Sequence, residues 1–395
     1  MPQPYIGSLG DLGYAKESVF GTAVAATAYV PFKDESLERD PGVAELKLAR
    51  NVRESASFLI AGEQKVQGKV TFPFFALMGM PLICGAIGVD QYQTGTNSGA
   101  STTLSANSVA QTTTITVASS SGLVAGTTIV QIDSAANKIA ECRKITNIAG
   151  TGPYTLTLDS ALVYAHASGA TVQPVIAPFL HAIVEANTLP SFTLEKNLGG
   201  LTSLQYTGMV GSKLTVKGAT KNEVEVAIDF MGQNEQPIAP TVPAYTTDTP
   251  ITLAGVSVSL FGAADANVES FELDLDNDVK SHYTFSGNRF PTFVVPAGRK
   301  LTLKVSEALT SLTYYNQLAA ATAKGAPPVG AETISLTDGA SNQSVISLPQ
   351  MSITKLSQPD KVGDVIMVDL TLEAWLGTQA NTLALTNQSS QYLPY

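Results

Sequence analysis

The chain is poor in the residues on which most enzyme chemistry depends. It has three histidines, two cysteines and one tryptophan in 395 residues. His166, His181 and His282 are scattered at spacings that match no zinc motif, and neither cysteine stands near them, so no metal site is expected. Cys84 and Cys142 lie far apart in unlike surroundings and read as free thiols rather than a disulfide framework. Charge is also scarce. Only 14% of residues are ionised, and 33 acidic against 23 basic side chains give a formal charge of −10. A groove that grips nucleic acid needs clustered Lys and Arg, and this balance argues against one. The most membrane-like stretch, Phe72 to Val89, is barely of spanning length and is broken by Pro73 and Pro81, so it reads as a buried helix and no membrane partner is expected. The first thirty residues carry Asp11, Lys16 and Glu17 without a basic start and apolar run, which argues against a secretory signal.

Catalytic motifs are missing in the same way. There is no Gly-x-Ser-x-Gly elbow. Gly208-Met209-Val210-Gly211-Ser212-Lys213 is two residues short of a phosphate loop and leads into a strand-like run. Asp274 to Asp278 resembles the start of a calcium loop, yet Val279 stands where the turn needs Gly and Phe285 where the ion needs Glu. No catalytic residue, metal ligand or cofactor is assigned, and the chain is read as a structural protein rather than an enzyme.

What is abundant is Thr, Ser, Gly, Ala and Val, a composition suited to twisted sheets and short turns. The length allows two or three cores. The expected fold is all-β, with a short helix in each of two tandem sandwich or barrel modules and an inserted Ig-like β-sandwich. The insert is residues 100–175, Ser/Thr-rich and electrically balanced, with alternating runs at Thr114–Val117, Thr128–Ile132, Arg143–Ile145 and Tyr154–Leu158 between Gly-containing turns. Residues 1–99 with 176–240, and residues 250–395, then share an order of features. Glu45–Leu48 corresponds to Phe271–Leu275, and Lys65–Val70 to Arg299–Val305. The apolar run Phe74–Ile87 corresponds to Leu309–Ala323. The closing pair Lys213–Val216 and Glu223–Phe230 corresponds to Met351–Thr354 and Val365–Leu372. A Pro-rich bridge at Gln236–Pro243, which cannot easily continue a central strand, runs into the linker at residues 241–249. Trp375 reads as a core plug, and Met1–Ala25 and Thr382–Tyr395 as terminal arms.

Several segments resemble a phage tail tube family. Gly13-Tyr14-Ala15-Lys16-Glu17-Ser18-Val19-Phe20-Gly21-Thr22-Ala23 is similar to its opening, and Gly68–Phe72 and Leu189–Glu195 to later strands. Val268-Glu269-Ser270-Phe271, leading to Asp276-Asn277-Asp278, and the Gly-x-Arg-x-Pro run Gly287-Asn288-Arg289-Phe290-Pro291 match further. The resemblance covers most of the chain outside 100–175. It implies a virion protein of a long, non-contractile-tailed phage, assembled in the host cytoplasm, whose sheets join into stacked rings around passing double-stranded DNA. Tail tip, tape measure and tail terminator proteins are the implied partners. Two modules per chain favour a trimeric, pseudo-sixfold ring over a hexamer. The acidity lies mostly in residues 241–395. On Phe271-Glu272-Leu273-Asp274-Leu275-Asp276, period-two geometry turns Leu to one face and Glu272, Asp274 and Asp276 to the other, where they suit a channel that must not hold a polyanion. The rival reading is a receptor-binding or surface-decoration protein whose 100–175 module binds host carbohydrate.

Overall fold

A computed structural model describes residues 7–48, 58–220, 222–285, 287–324, 328–339, 341–359 and 365–393. After a 3-10 turn at Gly7–Leu9 come strands β1 (Leu12–Lys16), β2 (Ala28–Val30), β3 (Asp34–Glu35) and β4 (Glu38–Asp40). A hairpin of β5 (Val43–Leu46) and β6 (Phe58–Ala61) precedes β7 (Lys65–Pro73) and helix α1 (Met80–Ile87). β8 (Gly88–Asn97) leads to the small strands β9 (Thr102–Thr103), β10 (Thr114–Val117), β11 (Ile129–Ile132), β12 (Glu141–Ala149) and β13 (Tyr154–Leu158), and β14 (Thr171–Glu185) leads back. Then follow β15 (Phe192–Asn197), β16 (Ser203–Ala219), β17 (Glu225–Gly232) and β18 (Asn234–Ile238). The later part holds β19 (Val256–Leu260), β20 (Ala263–Asp265), β21 (Val268–Asp276), a hairpin of β22 (Val279–His282) and β23 (Phe293–Pro296), β24 (Lys300–Ala308), helix α2 (Thr313–Lys324), β25 (Val329–Thr337), β26 (Gln343–Ser357), β27 (Met367–Ala374) and β28 (Ala384–Ser389). The fold is all-β, as expected. No helix of the described residues is long and apolar enough to cross a membrane.

Eight antiparallel positions form one sheet, in the order β3/β4, β7, β17, β16, β21, β24, β27, β26. The second four repeat the chain roles of the first four. A second layer repeats too: β2–β1–β15–β16 with β18 beside the start of β16, and β20–β19–β25–β26 with β28 beside the start of β26. β16 and β26 serve both layers, and each bends at a bulge, between Gly211 and Lys213 and between Ile353 and Lys355. The extra residue is Ser212 in one and Thr354 in the other. Each hydroxyl donates to the neighbouring strand, Ser212 Oγ to the Asp229 carbonyl at 3.0 Å and Thr354 Oγ1 to the Thr371 carbonyl at 3.2 Å.

Strict alternation explains these strands. In β21, β24 and β27, every second residue, such as Leu273, Leu303 and Leu370, enters one continuous core between the layers, and the residues between face solvent. α1 is buried along nearly its whole length in that core. A separate cluster, including Ile115, Val130, Ile145 and Leu156, fills the small sandwich.

Several sequence readings need correction. Glu45–Leu48 does not continue the sheet: Val43–Leu46 is one arm of an exposed hairpin, and the true counterpart of β21 is β3/β4. That strand hides its nature because only Leu37 among Asp34–Asp40 is apolar. β14 runs unbroken through position 175, pairing with β8 as a ribbon from Glu185 and Gly88 outward. Pro237 sits in edge strand β18, a place that tolerates a missing N–H. Within the two terminal stretches read as arms, Leu12–Lys16 and Ala384–Ser389 are strands, the latter held between β14 and β26. β28 looks polar because buried Asn387 is satisfied, accepting from Ser344 Oγ at 2.8 Å and donating to the Ala76 carbonyl at 3.1 Å. Residues 1–6 and 394–395 lie outside the described residues. Trp375 is 45% exposed and is not a core plug.

Candidate functional site: strand edges, hairpins and a polar face

The two halves of the eight-position sheet meet at β16 and β21, whose register runs from Lys213 opposite Asp276 to Ala219 opposite Ser270. Leu214 and Leu275 are buried on the core side of this joint. On its open side Lys213 Nζ lies 3.1 Å from Asp274 Oδ1, and Thr215 Oγ1 donates to the same oxygen at 2.7 Å. Lys304, from β24, contacts Glu272 and reaches Asp274 Oδ2 at 3.5 Å. Burial pushes the Asp274 carboxyl up, but Thr215, Lys213 and Lys304 outweigh it and hold the group below its usual value. The hydrogen bond to Glu272 raises Lys304 in turn.

The β22–β23 hairpin reaches back across the same joint. Its inner face, Val279 and Val294, packs on Val210 of β16, with Phe20, Leu189 and Met231 around it. Its loop grips the base of the β5–β6 hairpin. Arg289 Nε donates to the Gly62 carbonyl at 2.7 Å, and its terminal nitrogen to those of Pro41 and Gly42. Gln64 N donates to the Arg289 carbonyl at 2.8 Å, and Tyr283 Oη to the Gln64 carbonyl at 2.9 Å. Gln233 Nε2 meets the Pro291 carbonyl at 3.2 Å. The Gly-x-Arg-x-Pro run is thus a clamp between halves. Beneath it, fully buried Asn277 donates to the Ala86 carbonyl at 2.8 Å and the Gly211 carbonyl at 3.1 Å. Glu17, from the opening motif, is a turn lock: it accepts from Ser191 Oγ, Thr193 Oγ1, Gly21 N and Gly208 N.

Both outer edges of the sheet are open. Among the described residues, β3 and β4 pair only with β7, and the last residues of β26 only with β27. The β5–β6 hairpin is open as well: Val43 and Leu59 are 61% and 70% exposed, against 6% and 5% for Val279 and Val294.

Glu272, Asp274 and Asp276 stand on the open face of the sheet, as alternation requires. The sequence reading missed the lysines that share that face. Lys33 joins Glu223 and Glu225, each at 2.8 Å, Lys217 meets Glu225 at 2.7 Å, and Lys300 meets Glu373 at 3.0 Å. Lys217 and Lys300 come from other strands and Lys33 from the turn before β3, and only strand order brings them beside the carboxylates. A second unforeseen constellation lies in the small sandwich. Buried Glu141 binds Arg143 and lies 3.1 Å from His166 Nε2, while His166 Nδ1 is 3.3 Å from Asp133. Glu141 also accepts from Val163 N and Tyr164 N at 2.8 Å each. Arg143 also donates to Gln93 Oε1 of β8 at 3.3 Å, so the cluster pins the sandwich together and ties it to its neighbouring strand.

Open strand edges, paired hairpins and a charge-laced face define an all-β structural subunit built to meet other chains. The chain belongs to the phage tail tube protein family, whose model matches residues 7–374. No curated protein matches it. It is therefore a structural tail tube protein and a virion component, and the family implies assembly of many copies into a tube.

Proposed function

We propose that three copies close edge to edge into a ring of six quasi-equivalent positions, and that rings stack into the hollow tube of a long, non-contractile phage tail. The observation that carries this is the β16–β21 joint, where two four-position sheets already continue each other within one chain while both outer edges stay open. Such edges invite pairing, and a head-to-tail contact that repeats by a fixed rotation closes a ring. The chain is divided as residues 1–99 with 176–240, an inserted sandwich at 100–175, a linker at 241–249, and residues 250–395. The β8–β14 ribbon acts as the stalk of the insert. The stalk joins the second layer through β28, so the sandwich decorates the outside. The polar face, with Glu272, Asp274 and Asp276, lines the channel through which double-stranded DNA leaves. Lysines temper the carboxylates there, so the lumen repels DNA weakly and offers no basic track to hold it. The second faces of both hairpins, with Phe58 and Ile60 on one and Phe293 and Val295 on the other, are exposed and apolar and support stacking on the next ring. Tail tip, tape measure and terminator proteins bound the tube, which is assembled in the host cytoplasm. Electron microscopy of tubes tests the reading: threefold rings with pseudo-sixfold density are expected, while rings of six copies, or a chain that stays monomeric with the tail tip present, overturn it.

A further inference from the structure

The repeat inside the chain is close enough to be read residue by residue. Asp40-Pro41-Gly42-Val43 opens the first hairpin as Asp276-Asn277-Asp278-Val279 opens the second. Gly42 N donates to Asp40 Oδ1 at 2.9 Å and Asp278 N to Asp276 Oδ1 at 2.8 Å. Gly42 and Asp278 share a positive φ, 58° and 44°. Each hairpin is then closed in the same way, by Gly62 N to the Gly42 carbonyl at 2.7 Å and by Ala297 N to the Asp278 carbonyl at 3.2 Å. The bulges fix the other pair of strands, since Ser212 and Thr354 occupy one position. Glu38 therefore stands where Asp274 does, Arg39 where Leu275 does, and Asp40 where Asp276 does. Lys355, Leu356 and Ser357 stand where Lys213, Leu214 and Thr215 do.

The inner joint uses the first set of these residues on β16 against the second set on β21. Their counterparts are the two open edges of the chain. The chemistry is kept. A lysine and a hydroxyl hold a carboxylate inside the chain, Lys213 and Thr215 on Asp274, and Lys355, Ser357 and Glu38 are the same three groups, all on unpartnered edges. The hairpins tell the same story, because Val279 and Val294 are covered by β16 and β17 while their counterparts Val43 and Leu59 are bare. At the outer edge Ser352 and Glu373 replace Val210 and Met231, and the apolar cover passes to Trp375. That residue takes the place of Gln233, which touches the second hairpin. The Trp375 indole N–H is satisfied by Ser352 Oγ at 2.9 Å, leaving much of its ring exposed.

We infer that the joint between neighbouring copies repeats the joint inside the chain in register: Lys355 opposite Asp40, Leu356 opposite Arg39 and Ser357 opposite Glu38 of the next copy, with the β5–β6 hairpin laid across β26 and β27 onto Trp375. The partner is a second copy of this chain, and the inference rests on the ring reading above. Directly opposed antiparallel residues bring Cα atoms to roughly 4.5–5.5 Å, within disulfide range. The native thiols Cys84 and Cys142 are buried. Full-length chain carrying Arg39→Cys and Leu356→Cys, assembled into tubes with the tail tip and mildly oxidised, is expected to run as a covalent ladder ending at the trimer. The displaced pair Arg39→Cys with Gln358→Cys is expected not to link. Tubes that link through the displaced pair and not the first overturn the register and leave the ring intact, whereas unsubstituted chain that forms no rings overturns both. A charge swap decides the matter if the cysteines disturb folding. Glu38→Lys or Lys355→Glu alone should raise the concentration needed for tube growth roughly tenfold by opposing like charges, and the two together should restore it. A double variant no better than the worse single one overturns the register.

Discussion

The first and second halves of this chain have the same strands, the same bulges and the same turn at the root of each hairpin, yet they differ in what covers them. The second hairpin and the edge of β21 are sealed against the first half, whereas among the described residues the outer edge of β3/β4 pairs with no strand and the first hairpin, gripped only at its base, leaves Val43 and Leu59 bare. An exposed apolar hairpin would ordinarily be an aggregation hazard. Here the buried twin shows what kind of surface it is shaped to meet. The halves also diverge inside. Glu307 occupies the position held by Phe72, and Glu332 that held by Leu194, so the second half buries carboxylates where the first buries hydrocarbon.

Breaking the inner joint should have the largest effect. Leu275→Asp places an unpaired charge in the core and is expected to destabilise the chain by about 3–5 kcal/mol in chemical denaturation. Arg39→Asp, its counterpart on the open edge, should leave monomer stability within about 0.5 kcal/mol and still halt tube growth. Next comes Asn277→Ala, which leaves the Ala86 and Gly211 carbonyls without their buried donor and should cost about 1–3 kcal/mol, whereas Pro41→Ala at the matching position should be near neutral.

A pH series sharpens the internal difference. Burial and the neighbouring Asp265 push Glu307 up to about 8, and burial pushes Glu332 up to about 7. Between the ordinary carboxylate value and these, the folded chain holds protons that the unfolded chain has released. Their contribution to stability is therefore full only below the ordinary carboxylate value of 4.5, falls steadily as pH rises above it, and is gone once pH has passed 7 and 8. Calorimetry from pH 5 to 9 should show Tm falling over that window, and Glu307→Gln with Glu332→Gln should flatten the fall. A slope unchanged by the double variant would refute the assignment. The smallest effect concerns the channel. Asp276→Lys, on an exposed carboxylate, should leave tubes intact and slow DNA release modestly at low salt, with the difference vanishing as ionic strength rises. Asp274→Lys should do more, because it also sets three lysines together with Lys213 and Lys304.

Much of this was legible from alternation alone. β21, β24 and β27 are written as apolar–polar repeats, α1 as an apolar run after a strand, and Glu272, Asp274 and Asp276 fall on the open face by counting in twos. The strands that escaped are those whose burial is polar or one-sided. β3/β4 carries a single apolar residue because one face meets solvent and its outer edge pairs with no strand among the described residues. β28 turns Asn387 and Ser389 inward. The lysines that temper the acidic strand come from β16 and β24, and no linear pattern places them there before the strand order is known. Trp375 misled for a related reason, since a large aromatic at the end of a strand reads as core, yet it bonds Ser352 Oγ through its indole N–H and stays 45% exposed.

The joint between β16 and β21 has one more consequence, for the order of events. Two separate chains must find each other by collision, at a rate and extent set by how much protein the cell has made. Two halves tethered in one chain meet at a local concentration fixed by the linker, so this joint closes during folding however dilute the protein is. Every subunit then carries this joint before it meets another copy, and in the proposed ring it is the open edges of β3/β4 and β26 whose closure depends on supply.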